Sequence, residues 1–102
     1  MRDLVFILNN IDNDKKVTLN INSYNSLLLY LEQLNDKKVK EKYNYITIIG
    51  IEEIYKYCRK TLENSYNDNV ENEIVNNMAD NIINIIDNLG YEITYHNLEK
   101  GC

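Results

Sequence analysis

The sequence predicts one α+β domain in the order β-β-α-β-α-α-β, with a four-stranded sheet covered by helices. Three observations carry that prediction. Val17, Leu19 and Ile21 alternate with Thr18 and Asn20, and Tyr91, Ile93 and Tyr95 alternate with Glu92, Thr94 and His96, the period of half-buried strands. Three other stretches repeat apolar residues at helical spacing. The chain has 102 residues, and either half alone would bury too little surface to fold, so the whole of 1–102 reads as one domain.

Asp3 to Asn9 reads as the first strand, because Leu4, Val5, Phe6, Ile7 and Leu8 form a continuous apolar run, the mark of a strand buried on both faces. Asn10 to Lys16 holds Asn-Asp-Asn-Asp, whose short polar side chains bond their own backbone and favour a turn. With Val17, Leu19 and Ile21 following, a β-hairpin is expected. Asn22 or Ser23 can cap the first helix, in which Leu27, Leu28, Leu31 and Leu34 share a face. Asn35 opens a charged connector that runs to Lys42. Tyr43, Tyr45, Ile46, Thr47, Ile48 and Ile49 read as the third strand, and Gly50 is a sharp junction.

From Ile51 to Tyr66, Ile51, Ile54, Tyr55, Cys58 and Leu62 fall on one side of a helix, with Glu52, Glu53, Lys56, Lys60 and Glu63 on the other. Asp68 or Asn69 is placed to cap the last helix. That helix carries an unusually broad apolar face, from Val70, Ile74 and Val75 through Ile82 and Ile86 to Leu89. Such breadth exceeds a coiled-coil stripe and requires cover from the preceding helix or from a second copy of the chain. Gly90 is the expected C-cap. The final strand follows, then a short flexible tail at 97–102. Helices are expected mainly on one face of the sheet.

Composition bounds the function. Eighteen Asn and fourteen Ile, with no Trp or Pro, match the codon usage of an AT-rich bacterial, viral or mobile-element genome, so a surface Asn carries little functional weight. No apolar run approaches the roughly 20 residues of a membrane span, and no cleavage signal follows Met1, so an intracellular, cytoplasmic protein is expected. Cys58 and Cys102 stand outside any CxxC pattern; they read as a buried small residue and a terminal thiol.

No catalytic, cofactor or metal motif emerges. His96 is the only histidine, set at the end of a strand, and Glu92 on the same face lies about 13 Å away along it. Asp12 and Asp14, with Asn10 and Asn13, resemble a calcium loop but lack its glycine and distal glutamate. Ser23 and Ser26 belong to a helix cap, with no nucleophile elbow. A single glycine at 50 is no phosphate fingerprint.

Lys15, Lys16, Lys37, Lys38, Lys40 and Lys42 gather in two connectors as phosphate-contact candidates. The net charge of −5 opposes a nucleic acid, however, which makes that the alternative reading, beside a small enzyme without a familiar motif. The preferred reading is an acidic protein-interaction domain, an inhibitor, immunity protein or regulatory adaptor, that binds a protein partner and is able to form a homodimer. Its interface candidates are Glu52, Glu53, Tyr57, Glu63 and Tyr66. Tyr24, Tyr30, Tyr43 and Tyr91 are further tyrosines expected to be partly exposed, since tyrosine offers apolar area with a polar tip.

Overall fold

A computed structural model describes residues 3–66 and 69–96. Its strands are β1 (Leu4–Asn9), β2 (Lys16–Ile21), β3 (Tyr45–Ile49) and β4 (Glu92–His96), and its helices are α1 (Tyr24–Leu34), α2 (Lys37–Lys42), α3 (Glu53–Tyr66) and α4 (Asn72–Asp87). The predicted order holds, with the short α2 added inside the charged connector. Asp36 caps α2 by accepting a hydrogen bond from the Lys38 amide at 2.7 Å, and Lys40 and Lys42 in its last turn complement the helix dipole. Val39 is its single apolar residue, so no apolar period announces it. The tail at 97–102 and Asp68 lie outside the described residues.

The strands form one mixed sheet in the order β2-β1-β3-β4. β1 runs antiparallel to both neighbours, and β3 pairs with β4 in parallel. A parallel neighbour needs a long crossover, which α3 and α4 supply. Gly50, at φ +83, turns the chain out of β3 in a conformation that favours glycine. Its amide donates to the His96 carbonyl at 2.8 Å and its carbonyl accepts from the Glu53 amide at 2.8 Å, so one residue links the ends of β3, β4 and α3.

Leu4, Phe6 and Leu8 of β1 and Ile46 and Ile48 of β3 form one core with Leu27, Leu31 and Leu34 of α1, Ile54 and Cys58 of α3, and Val75, Ala79, Ile82 and Ile86 of α4. Every strand residue in that core, or packed against it, has the same parity across the register. The helices therefore cover one face of the sheet, as expected. The Cα atoms extend 48 × 34 × 19 Å, a thin body of one sheet and one helix layer. One expectation for β1 is corrected here. It is buried on one face only, since Val5, Ile7 and Asn9 are half-buried on a side that no described element covers.

Local chemistry explains most of the turns. In the β1–β2 turn, Asn10 Oδ1 accepts from the Asp12 amide at 2.9 Å and Asn13 Oδ1 from the Lys15 amide at 3.2 Å, while Asp14 takes a φ of +59. The Asn and Asp residues are thus turn formers. Ser23 caps α1 by accepting from the Ser26 amide at 3.1 Å. Two cap assignments change. α4 begins after Glu71, not Asp68 or Asn69, and Glu71 makes no side-chain cap bond. Its C-cap is Asn88, whose Nδ2 donates to the Asn84 carbonyl at 2.8 Å; Gly90, at φ +103, reverses the chain two residues later.

Candidate functional site

α3 and α4 form an antiparallel pair, pinned at two levels by α3 side chains. Tyr55 donates its hydroxyl to Asp80 Oδ1 at 3.0 Å. One turn further along α3, Arg59 donates to the Val70 carbonyl at 3.0 Å and to Asn72 Oδ1. That guanidinium fork holds the start of α4 in place of a conventional N-cap. It also faces Glu63 Oε2 at 3.5 Å. Beyond this clamp lies the tip of the helical pair.

At the tip, Tyr66, Asn69, Val70, Glu71 and Ile74 line a cleft of about 470 Å³. Tyr66 is 70% exposed and Ile74 48% exposed, so two large apolar surfaces face water where the core cannot reach them. Glu71 and, in the first turn of α4, Glu73 add negative charge. A half-exposed aromatic, an aliphatic side chain and carboxylates on one projection can bind a basic, partly apolar surface.

The interface residues expected from sequence separate along α3. Glu63 and Tyr66 lie toward this tip. Glu53 does not lie on an outward face as expected: it is 4% exposed, at the buried start of the helix. Lys56 Nζ stands 3.1 Å from its Oε2 outside hydrogen-bond geometry, so that oxygen is ion-paired without a hydrogen bond. Tyr57 turns inward as well, donating to the Ile21 carbonyl at 2.7 Å and accepting from the Leu4 amide at 3.2 Å. It ties α3 to the ends of β1 and β2, and burial raises its pKa. Glu52 lies in the turn before the helix. The acidic, tyrosine-bearing surface is therefore shorter than its sequence span and shifted toward α4.

Tyr24, Tyr30 and Tyr43 are half-buried, as expected. Tyr91 is not: it is 8% exposed, and its hydroxyl donates to the Leu34 carbonyl at 2.6 Å. Burial, then the nearby Asp36 carboxylate, pushes its pKa up to about 12. Cys58 is fully buried and its thiol is pushed up to about 11 by burial, which removes the thiolate that reactivity requires. His96 is exposed at the end of β4.

The lysines converge more than the sequence suggests. Asn10 Nδ2 donates to the Lys42 carbonyl at 2.8 Å, and the Ile11 amide donates to Asn44 Oδ1 at 3.4 Å, so the β1–β2 turn and the end of α2 meet at one end of the sheet. Lys15, Lys16, Lys37, Lys38, Lys40 and Lys42 share that end with Asp12, Asp14, Asp36, Glu41 and Glu92, six positive against five negative charges. The resulting field is weak for a phosphate backbone.

A third apolar feature is a groove of about 460 Å³ between α1 and α4, lined by Leu28, Leu31, Glu32, Asn84, Ile85 and Leu89 among others. Here the broad face of α4 stays partly uncovered, with Ile85 49% exposed. Among the described residues, no His, Cys, Asp and Glu group could hold a metal ion, and no helix is long and apolar enough to cross a membrane. Comparison with protein-family models, curated proteins and solved structures finds no match to this chain.

Proposed function

We propose that the domain acts by binding another protein through the tip of the α3–α4 pair, with a basic, partly apolar surface as its target. The observation that carries this is the cleft in which Tyr66 and Ile74 stand exposed beside Glu71. Buried aromatic and aliphatic anchors supply most of the affinity at interfaces, whereas rim charges govern the association rate. An inhibitor, immunity protein or regulatory adaptor works in this way. A catalytic reading lacks support at the same place, because the cleft itself is lined by one carboxylate, Glu71, and one phenol, Tyr66, which do not assemble an acid, a base and an oxyanion donor.

The test is affinity capture followed by binding kinetics on the partner obtained, with a charge-matched control protein. Glu71→Gln with Glu73→Gln should slow association and flatten its salt dependence, at little cost to folding because Glu71 makes no side-chain cap bond. Tyr66→Ser with Ile74→Ser should instead speed dissociation. Reversing Glu52, Glu53 and Glu63 together is a poorer test, since Glu53 is buried. Capture unaffected by both pairs would reject the tip as the site.

A nucleic-acid reading draws on the convergence of the six lysines at one end of the sheet. Replacing Lys15, Lys16, Lys40 and Lys42 by Gln would abolish salt-dependent binding to a mixed-sequence duplex if that reading held.

A further inference from the structure

We propose that the uncovered face of the sheet is the contact between two copies of this chain, packed face to face about a two-fold axis parallel to the strands. The starting point is β1, whose continuous Leu-Val-Phe-Ile-Leu run suits a strand covered on both sides, although the helices cover only one. On the other side the register fixes three rows. Lys16, Asn9, Tyr45 and Glu92 form the first; Thr18, Ile7, Thr47 and Thr94 the second; Asn20, Val5, Ile49 and His96 the third. Val5, Ile7 and Ile49 make an apolar, β-branched patch on the two central strands, with Thr18, Thr47 and Thr94 along the middle row. The two fixed charges of this face, Lys16 and Glu92, sit in the same row on opposite edge strands.

That placement selects the occupant and its orientation. A two-fold axis along the strands, passing between β1 and β3, lays β2 of one copy against β4 of the other. Lys16 then meets Glu92 of the second copy, and symmetry makes the pair twice. Ile7 meets Thr47, Val5 meets Ile49, and Asn20 meets His96. An axis across the strands would set β2 over β2 and leave both charges without an opposite. Within one copy Lys16 and Glu92 stand about 14 Å apart, three strand spacings, so their coupling is weak until a second copy arrives. Packed sheets cross by about 30°, a rotation that the long lysine stem accommodates.

Four strands of five residues give a face of roughly 19 by 17 Å, about 320 Å² per copy against the roughly 800 Å² per partner of a standard interface, so the dimer is a weak one held in register by its charge pairs. The expected dissociation constant is accordingly weak, on the order of 100 µM. This surface lies on the opposite side of the sheet from the helices, so self-association and capture at the helical tip can be tested separately.

The experiment is sedimentation velocity and equilibrium on the full chain over about 1 to 300 µM, a range spanning the expected constant. Wild type should pass from monomer to dimer. Lys16→Glu and Glu92→Lys should each weaken the dimer about tenfold, since two attractive contacts become two repulsive ones. The double variant K16E/E92K should return to within about threefold of wild type, because the swap restores both pairs. Ile7→Lys should abolish association, and Ile85→Glu, in the groove between α1 and α4, should leave it unchanged. If Ile7→Lys does not fold, the charge swap still decides, since both rim residues are exposed. A wild type that stays monomeric throughout, a double variant no tighter than either single one, or a dimer disrupted by Ile85→Glu would overturn the proposal.

Discussion

Ile86 and Ile85 are neighbours in sequence on α4, and the fold gives them opposite energetics. Ile86 is fully buried and Ile85 is 49% exposed. Truncating Ile86 to Ala removes three carbons from the core, about 2.4 kcal/mol of transfer free energy at ~0.8 per methylene. The cavity left behind adds about 1 to 2 kcal/mol, and the better helix propensity of alanine returns about 0.4. Ile86→Ala should therefore cost about 3 to 4 kcal/mol. For Ile85→Ala the transfer loss roughly halves, no closed cavity forms and the propensity gain stays, leaving less than about 1 kcal/mol. Urea unfolding followed by far-UV circular dichroism measures both, with equal slopes as the check that only stability has changed. Equal losses at the two positions, or a loss at Ile86 below about 0.5 kcal/mol, would refute the assignment of the core-facing stripe to Val75, Ala79, Ile82 and Ile86. Ile82, on the same stripe and nearly as buried, should behave like Ile86.

Stability should also fall at alkaline pH, because Cys58 and Tyr91 are held neutral in the fold at about 11 and about 12. A raised folded pKa contributes stability in full below the unfolded value, near 9 for the thiol and 10 for the phenol. That contribution is lost as pH rises through the folded value, so about 1 to 2 kcal/mol should go between pH 8 and pH 10. Cys58→Val should flatten the earlier part of the decline in urea midpoints, and a midpoint identical at pH 8 and pH 10 would contradict the burial argument. Arg59→Met removes the clamp on Val70 and Asn72 and should cost about 1 to 2 kcal/mol. The amides of Ile74 and Val75 should then exchange faster while those of β1 do not, and unchanged exchange at α4 would show that the helix start is held by something else.

The parts of this fold that were legible in the sequence are those in which one physical signal dominates. Alternation placed β2 and β4, the two edges, because each has one wet face. Helical spacing placed α1, α3 and α4, and Gly50 marked the exit from β3. The failures have particular causes. Glu53 reads as surface because its charge and wheel position say so, but Gly50 folds the first turn of α3 against the end of the sheet, and sequence spacing does not encode that approach. Tyr57 and Tyr91 are pulled inward by two backbone acceptors, the carbonyls of Ile21 and Leu34, which lie 36 and 57 positions away in the chain. The tip cleft was half legible: Tyr66 and Glu63 were named, while Ile74 was counted in the broad apolar face of α4 because it shares the period of that face. Its exposure follows from the helical pair outrunning the sheet, a tertiary length mismatch that no local window contains.

The three uncovered apolar surfaces differ in the charge around them, and that difference separates their partners. The helical tip carries Glu71 and Glu73, so a copy of the same chain would be repelled there and a basic surface attracted. The groove between α1 and α4 is rimmed by amides and one carboxylate, which favour neither. The sheet face balances one cation with one anion. Two chains of charge −5 repel overall, but most of the helical carboxylates sit on α3 and α4, in the layer turned away from the sheet face. In a face-to-face dimer two sheets, about 10 Å apart, separate those layers, beyond the Debye length of about 8 Å at physiological salt. The paired lysine and glutamate at the rim lie within it. Screening thus suppresses the long-range repulsion more than the short-range attraction, and self-association through this face should persist at physiological ionic strength while binding at the acidic tip weakens.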